Sequence, residues 1–597
     1  MGLYWNRGWV AHDDGMLAQS ADRVLHGELP HRDFDEVYTG GLNYLHALGF
    51  RAFGENLVSI RRVLFVFFAL WVPAVYYCAL RFASPVASGI FALLAVAWSV
   101  PNYPASMPSW YNLFFATFGL AALLRYLEVR AVHWLFAAGI SAGCSFLIKV
   151  SGLYFIGAVL LFFLFLEQSR AEPQTPSNPS PSSRWTLYRA ALDICVFAFV
   201  MVLILLIRRL ADFSEVYFFV LPGAALGVVL LGRASSGGSL STMARLRALL
   251  GLAVPFLAGI AIPVAVFLAP YVFSHSLDKF YRGVFIVPFV RVTKALFPPP
   301  SPIDLAAVLP LLSLVAIGWY CRFQKPLIAG AAVSAPLAVA LFLAPQNVTT
   351  YQLVFNSLYT LMPVAVIGGA IVLSRSQRTW CFGEFDRAKL FLVLSVAALC
   401  SLIQFPYSSP TYFSYVSPLV LLAVLAISSA FSNFPKLPQA LLAIFYLLFM
   451  MLYVTPSLSL DSMAKIYILP YPMVKLDTPR AGGLEVAFTD QSLYDNVVEF
   501  VRRKSNGQTI YAGPDSPEIY FLVGSKNPTR MIFDFLEDPS TETSRVLSAI
   551  DRSKINIVVI NRKPGASGPL PQDLTAELRE RFPESKNIGK FEVRWRN

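Results

Sequence analysis

From about Arg62 to about Thr455 the sequence is a succession of apolar runs of about 17 to 25 residues, separated by short loops bearing Pro, Ser or Arg. A helical run of that length crosses a hydrocarbon core of roughly 30 Å, and in lipid a helix is one of the few structures that satisfies its own backbone polar groups. The chain is 56% hydrophobic and 14% charged, with a mean hydropathy of +0.57; soluble proteins carry about 25% charged residues. The expected fold is therefore an α-helical polytopic membrane protein of about 13–14 spans, followed by a small α/β domain.

The formal charge of +12 does not point to nucleic acid, because the basic residues are scattered among loops and form no stripe interleaved with exposed aromatics. They fit a topology instead. The candidate loops near 125–133, 167–189, 232–247, 321–326, 374–389 and 431–438 hold most of the Arg and Lys, whereas those near 101–109, 345–350 and 406–411 hold none. By the positive-inside rule the first group is cytoplasmic. The acid-rich N-terminal loop and the polar C-terminal region are then extracytoplasmic. The first residues, MGLYWNRGWVAHDDG, lack the apolar core of a signal peptide, so this topology leads us to expect a further helix upstream of the sequence. The six cysteines, Cys78, Cys144, Cys195, Cys321, Cys381 and Cys400, all fall in or beside apolar runs, a pattern that suits neither a disulfide framework nor a CxxC metal site.

The expected organisation has four parts. Residues 1–60 are a first extracytoplasmic loop with candidate acids and a juxtamembrane helix. Residues 61–456 are the membrane bundle, with a Pro- and Ser-rich cytoplasmic linker at 171–183 and a long outer loop at 271–302. Residues 457–483 connect the bundle to an α/β domain at 484–597. In that domain SLYDNVVEFVRRK and SRVLSAIDRSK have helical spacing. QTIYAG, IYFLVG and INIVVINR read as strands, and KFEVRWR as an edge strand. No nucleophile motif or phosphate-binding glycine loop is visible there, so the domain reads as a structural or acceptor-docking module.

The chemistry-bearing string is HDDGMLAQSADRVLHGELPHRDFDEVYTGG, with Asp13 and Asp14 followed by Asp33, Asp35 and Glu36. Carboxylates gathered at a membrane surface are costly and mark a reaction centre. This string, continued to SIRRV, resembles the first extracytoplasmic loop of the GT-C glycosyltransferases. The likeness is to the protein O-mannosyltransferase-like group that includes the RgtA/B/C/D-like enzymes and the lipid A aminoarabinose transferases. The resemblance implies that Asp13 is the acidic general base, while Asp14 stands where the family usually has Glu. It also implies substrate contacts in RDFDEVYTGG from Asp35, Glu36 and Tyr38, although Val37 and Tyr38 occupy the place of the family's prolines.

A phosphate leaving group needs cations near the same surface. Arg61, in a Ser-x-Arg pattern, and Lys149, which interrupts apolar sequence in a K-x-x-G string similar to one in RgtA-like enzymes, are the candidates. In KFYRGVFIVPFVRVTKALFPPP the basic residues have helical spacing with aromatics between them; the resemblance places its Arg282 and Arg291 over a lipid-phosphate pocket. Arg62, Arg208 and Arg209 read as interfacial anchors. No cofactor is expected. A divalent metal held by Asp13, Asp14 and Asp35 with His12 and His31 is the minority reading, since the mannosyltransferase-like group generally uses none.

These readings converge on an inverting glycosyltransferase of a bacterial cytoplasmic membrane. It would use a polyprenyl-phosphate sugar donor and a hydroxyl acceptor on an envelope glycan, lipid or protein. The alternatives are a polytopic transporter or lipid flippase, against which the sequence shows no internal repeat and no mid-membrane acid cluster, and a non-catalytic envelope assembly protein.

Overall fold

The computed structural model describes residues 5–170, 187–208, 212–236, 241–287, 301–320, 326–374, 384–431, 436–454, 473–531, 539–565 and 567–596. The 171–183 linker, residues 288–300 of the long outer loop with Arg291, Arg209, Cys321, Cys381 and residues 457–472 of the connector lie outside these ranges.

The chain is a helical polytopic membrane protein. Among the described residues eight helices are long and apolar enough to cross a bilayer, and five shorter apolar helices pack among them. One more rod, Glu384–Cys400, is buried along most of its length.

Three helices precede or open the bundle. α1 (Ala11–Leu25) and α2 (Gly41–Phe53) lie ahead of the first span, α3 (Leu57–Ala79). The side chain of Asn56 starts α3 by accepting from the Ser59 N–H at 3.0 Å, supplying a partner for one of the unpaired amides of the first turn. α4 (Pro85–Ala97), α5 (Pro108–Val129), α6 (His133–Ile148) and α7 (Gly152–Arg170) follow. With no water to drive burial, polar side chains join helices where they can. Trp71 of α3 donates to Thr117 of α5 at 2.9 Å, and Trp98, just after α4, donates to the Tyr446 carbonyl at 3.1 Å.

The C-terminal unit contains β1 (Met473–Lys475), β2 (Glu485–Ala487), β3 (Tyr511–Gly513), β4 (Ile557–Asn561), β5 (Glu584–Ile588) and β6 (Phe591–Trp595). β1 and β2 pair antiparallel, and the larger sheet has the order β3-β4-β6-β5 with only β3 and β4 parallel. Two expectations are corrected here. IYFLVG is not a strand: Pro517 opens the helix Pro517–Val523, every residue of which through Leu522 is buried. A six-residue apolar run has no periodicity that separates strand from buried helix. The KFEVRWR strand is interior, because β5, whose ESKNI sequence is exposed and lacks any apolar alternation, covers its free edge.

The C-terminal unit closes over the first loop and shares its core. Residues 6–8 pair with β2 through Gly8 N–H to the Glu485 carbonyl and Glu485 N–H to the Asn6 carbonyl, both at 2.8 Å. Arg7 meets the Glu485 carboxylate at 2.9 Å, Arg480 reaches Glu55 at 2.8 Å, and Arg530 reaches Asp35 at 3.1 Å. Lys526 pairs with Glu28. Gly15 of α1 is seated on the helix Pro517–Val523 so closely that a Cβ there would fall 2.5 Å from the backbone of Glu518. The first loop and the C-terminal unit therefore lie on one side of the bundle.

Candidate active site

Asp13 and Asp14 occupy the first turn of α1, where carboxylates complement the positive end of the helix. Adjacent residues on a helix point about 100° apart, and these two meet different surroundings. Asp14 turns inward. Its Oδ2 accepts from the Val10 N–H at 3.2 Å, tying down the helix start, and both its oxygens face Arg61: Nε to Oδ1 at 3.2 Å and Nη2 to Oδ2 at 3.0 Å. The remaining guanidinium nitrogen donates to the Arg7 carbonyl at 3.2 Å. The two side chains are 0% and 1% exposed, so Arg61 is committed to Asp14 rather than to an open surface. Arg62, one residue on, packs its guanidinium over the rings of Trp5 and Phe53.

Asp13 keeps 21% of its side chain exposed. One carboxylate oxygen, Oδ2, accepts from the Tyr103 hydroxyl at 2.5 Å, while Oδ1 lies 3.6 Å from His12 Nε2. The loop between α4 and α5 carries Tyr103, fixed by Trp110 donating to its carbonyl at 2.9 Å. Burial raises the Tyr103 phenol well above its ordinary pKa, with Asp13 adding to the effect, so it stays a neutral donor.

Lys149 stands where α6 ends. Its backbone is extended, with φ −156° and ψ 141°, before α7 begins at Gly152. The K-x-x-G spacing has a steric reason: a Cβ at Gly152 would lie 2.3 Å from the Phe146 nitrogen. The ammonium donates to Ser109 at 3.0 Å and sits 5.6 Å from the ring centres of both Tyr38 and Tyr412. It lines a cavity of ≈ 120 Å³ with Tyr38, Thr39, Val284, Tyr407 and Tyr412 among its walls. Arg282 is exposed and begins the turn that brings Val284 to this cavity.

The other acids of the loop have structural partners. Glu36 is buried; it accepts from the Val37 and Tyr38 N–H groups at 2.8 and 3.2 Å and from Asn43 at 2.6 Å, and burial raises its pKa. Asp35 holds Arg530, and its N–H donates to the Arg530 carbonyl at 2.9 Å. Asp33 closes a turn by accepting from the Leu29 N–H at 2.8 Å.

The residues weighed for a metal are not brought together as a set. Arg61 takes Asp14, Arg530 takes Asp35, and His31 is buried against the Thr39 carbonyl at 3.3 Å, where burial pushes its pKa down to about 4. Among the described residues the His and carboxylate group with metal-compatible spacing is Asp22, His26 and Glu55, and Arg480 already lies 3.5 Å from Asp22 and 2.8 Å from Glu55.

Sequence reasoning missed the loop 406–415. A run of contacts joins it to the surroundings of both Lys149 and Asp13: Tyr412 lies 5.6 Å from the Lys149 ammonium and packs edge-on against Tyr415 at 5.4 Å, Tyr415 against Trp110 at 4.5 Å, and Trp110 holds Tyr103. A signal is present in YSSPTYFSY, with three tyrosines in nine residues; charge alone shows only that the stretch lacks Lys and Arg.

The fold and site together define a multi-spanning membrane protein with an available carboxylate and a lysine-lined cavity on the face covered by its C-terminal unit. No family model and no curated protein matches the sequence. Among solved structures it is similar to ArnT from Cupriavidus metallidurans. The crystal structure bound to undecaprenyl phosphate is 13% identical over 99% of this chain and 95% of that one, with a TM-score of 0.33. The apo structure is 12% identical over 99% and 94%, at 0.37. It is also similar to the archaeal oligosaccharyltransferase AglB from Archaeoglobus fulgidus, in complex with an inhibitory peptide and a dolichol-phosphate, 13% identical over 93% of this chain and 66% of that one, at 0.39. Likeness at these scores carries no argument about chemistry; the surroundings of Asp13 and Lys149 do.

Proposed function

We propose that this chain is an inverting glycosyltransferase of the GT-C type that moves a monosaccharide from a polyprenyl-phosphate donor to a hydroxyl acceptor at the outer face of a bacterial cytoplasmic membrane. The observation that carries the reading is the division of labour between Asp13 and Asp14. One is sealed in an ion pair, and the other is partly exposed, hydrogen-bonded to Tyr103 on one oxygen and with the half-exposed His12 ring 3.6 Å from the other.

In this reaction the acceptor oxygen forms a bond to the anomeric carbon as the bond from that carbon to the donor phosphate oxygen breaks. The acceptor proton passes to Asp13, and the electron pair leaves with the lipid phosphate. A positioned carboxylate contributes about 10²- to 10⁴-fold to such a step. The Tyr103 hydroxyl holds the carboxylate plane, leaving Oδ1 as the oxygen directed to the acceptor. The Lys149 ammonium stabilises charge gathering on the phosphate, where a low-dielectric, water-poor site strengthens the interaction. Val284 and the turn from Arg282 supply an apolar wall for the start of the prenyl chain. Arg61 acts indirectly, by holding Asp14 and with it the first turn of α1. The clustering of Arg and Lys in loops away from the acidic face supports the orientation.

The test is reconstitution in proteoliposomes with radiolabelled polyprenyl-phosphate monosaccharides and an envelope lipid extract as acceptor. Label should move from the donor to a new glycolipid or glycan, with the anomeric configuration inverted by NMR. Label that stays on every donor, or that only changes leaflet, contradicts the proposal, and the second result makes the protein a flippase.

A further inference from the structure

We propose that Tyr407 and Tyr412, with Tyr38 of the same cavity wall, bind the sugar ring of the donor on the way from Lys149 to Asp13, an inference that rests on the polyprenyl-phosphate donor reading. Phenylalanine outnumbers tyrosine 48 to 26 in this chain, as suits rings that face lipid or a dry core. The segment from Tyr407 to Tyr415 reverses the preference, with Tyr407, Tyr412 and Tyr415 against Phe413. A sugar uses both parts of a tyrosine, since its C–H faces pack on the ring while its hydroxyls exchange hydrogen bonds with the phenol.

The arrangement fits that use. Tyr407 and Tyr412 are half-buried, stack at 5.7 Å with their planes 27° apart, and line the cavity that contains Lys149. Tyr38 approaches the same ammonium from the first loop, and Lys149 Nζ lies 5.6 Å from the ring centres of both Tyr38 and Tyr412. Tyr415, buried and packed edge-on against Trp110 at 4.5 Å, is the positioning residue that props Tyr412 and continues the line toward Tyr103 and Asp13. Burial holds Tyr415 protonated, and Tyr412, Tyr38 and Asp13 are all close enough to reinforce this. A phosphate on Lys149 therefore places whatever it carries beside Tyr412 and on the path to Asp13.

The test compares binding of bare undecaprenyl phosphate with binding of its glucose-, mannose- and galactose-linked forms, using full-length protein in nanodiscs and native mass spectrometry. The wild type is expected to bind at least one sugar-linked lipid about tenfold more tightly than the bare phosphate. Tyr412→Phe and Tyr407→Phe, each with unchanged thermal unfolding, should cut that margin about fivefold and leave the bare lipid within about twofold. Lys149→Ala should weaken both lipids together. If the tyrosine variants weaken bare and sugar-linked lipid equally, or if the wild type shows no margin for any sugar, the subsite inference is overturned while the donor reading stands. Wild-type protein that binds neither lipid defeats the donor reading and the inference with it.

Discussion

The guanidinium of Arg61 on α3 lies along the carboxylate of Asp14 on α1, with nitrogen–oxygen distances of 3.2 and 3.0 Å and almost no exposure of either side chain. This pair seals Asp14 and leaves Asp13 the more exposed of the two neighbouring acids. It also joins the loop ahead of the bundle to the first span.

Arg61→Leu should be among the most destabilising substitutions in the first loop, because it leaves a buried carboxylate without its partner, at a cost of roughly 3–5 kcal/mol. The double variant Arg61→Leu with Asp14→Leu removes both charges and should recover much of the loss. Thermal unfolding in detergent measures both; a double variant no more stable than the single would show that the pair is not what Arg61 contributes.

Tyr103→Phe deletes one hydroxyl and leaves the ring. The carboxylate of Asp13 then loses the bond that sets its plane, and kcat should fall about tenfold with little change in KM for the donor. Unchanged turnover would remove Tyr103 from the reaction.

Gly15→Ala places a methyl group 2.5 Å from the Glu518 backbone, which cannot yield as a side-chain end would. The expected cost is about 1–3 kcal/mol, spent at the seat of the C-terminal unit on α1. Limited proteolysis should release that unit faster from the variant than from the wild type, and equal rates would count against the seating.

His31 is one of two buried histidines, with His46, that should make the fold sensitive to acid. Burial depresses its pKa from 6.5 to about 4, so between those values the unfolded chain takes up a proton that the folded chain refuses. The contribution of His31 to stability is complete above pH 6.5 and is lost as pH drops toward 4, by roughly 3 kcal/mol. His31 has φ 62°, a conformation that Asn tolerates. His31→Asn should therefore fold and make the acid side of the stability profile less steep, with the remainder due to His46; an unchanged profile would mean that His31 takes no part.

The membrane architecture is legible in the sequence because a hydrocarbon core imposes both length and composition on each span, and the acids of α1 stand out because charge is costly there. Asp13, Asp14 and Lys149 are all visible in that way. The partnership of Arg61 is not, since a positive residue at the mouth of a span looks the same in sequence whether it faces headgroups or turns inward to an acid 47 positions away. Glu36 is equally opaque: its three hydrogen bonds reach two backbone groups and Asn43, none of which a motif records. The tyrosines of 406–415 escape notice because polar aromatics in a short loop carry no periodic signal.

In the proposed reaction Asp13, and not its neighbour, takes the proton of the acceptor. The sharpest check is sugar transfer from a labelled polyprenyl-phosphate donor by Asp13→Asn protein in proteoliposomes, with donor binding and thermal unfolding measured on the same sample. Binding and folding should match the wild type, while transfer drops about 10²-fold or more. Folded Asp13→Asn protein that transfers sugar at the wild-type rate would refute the role given to Asp13.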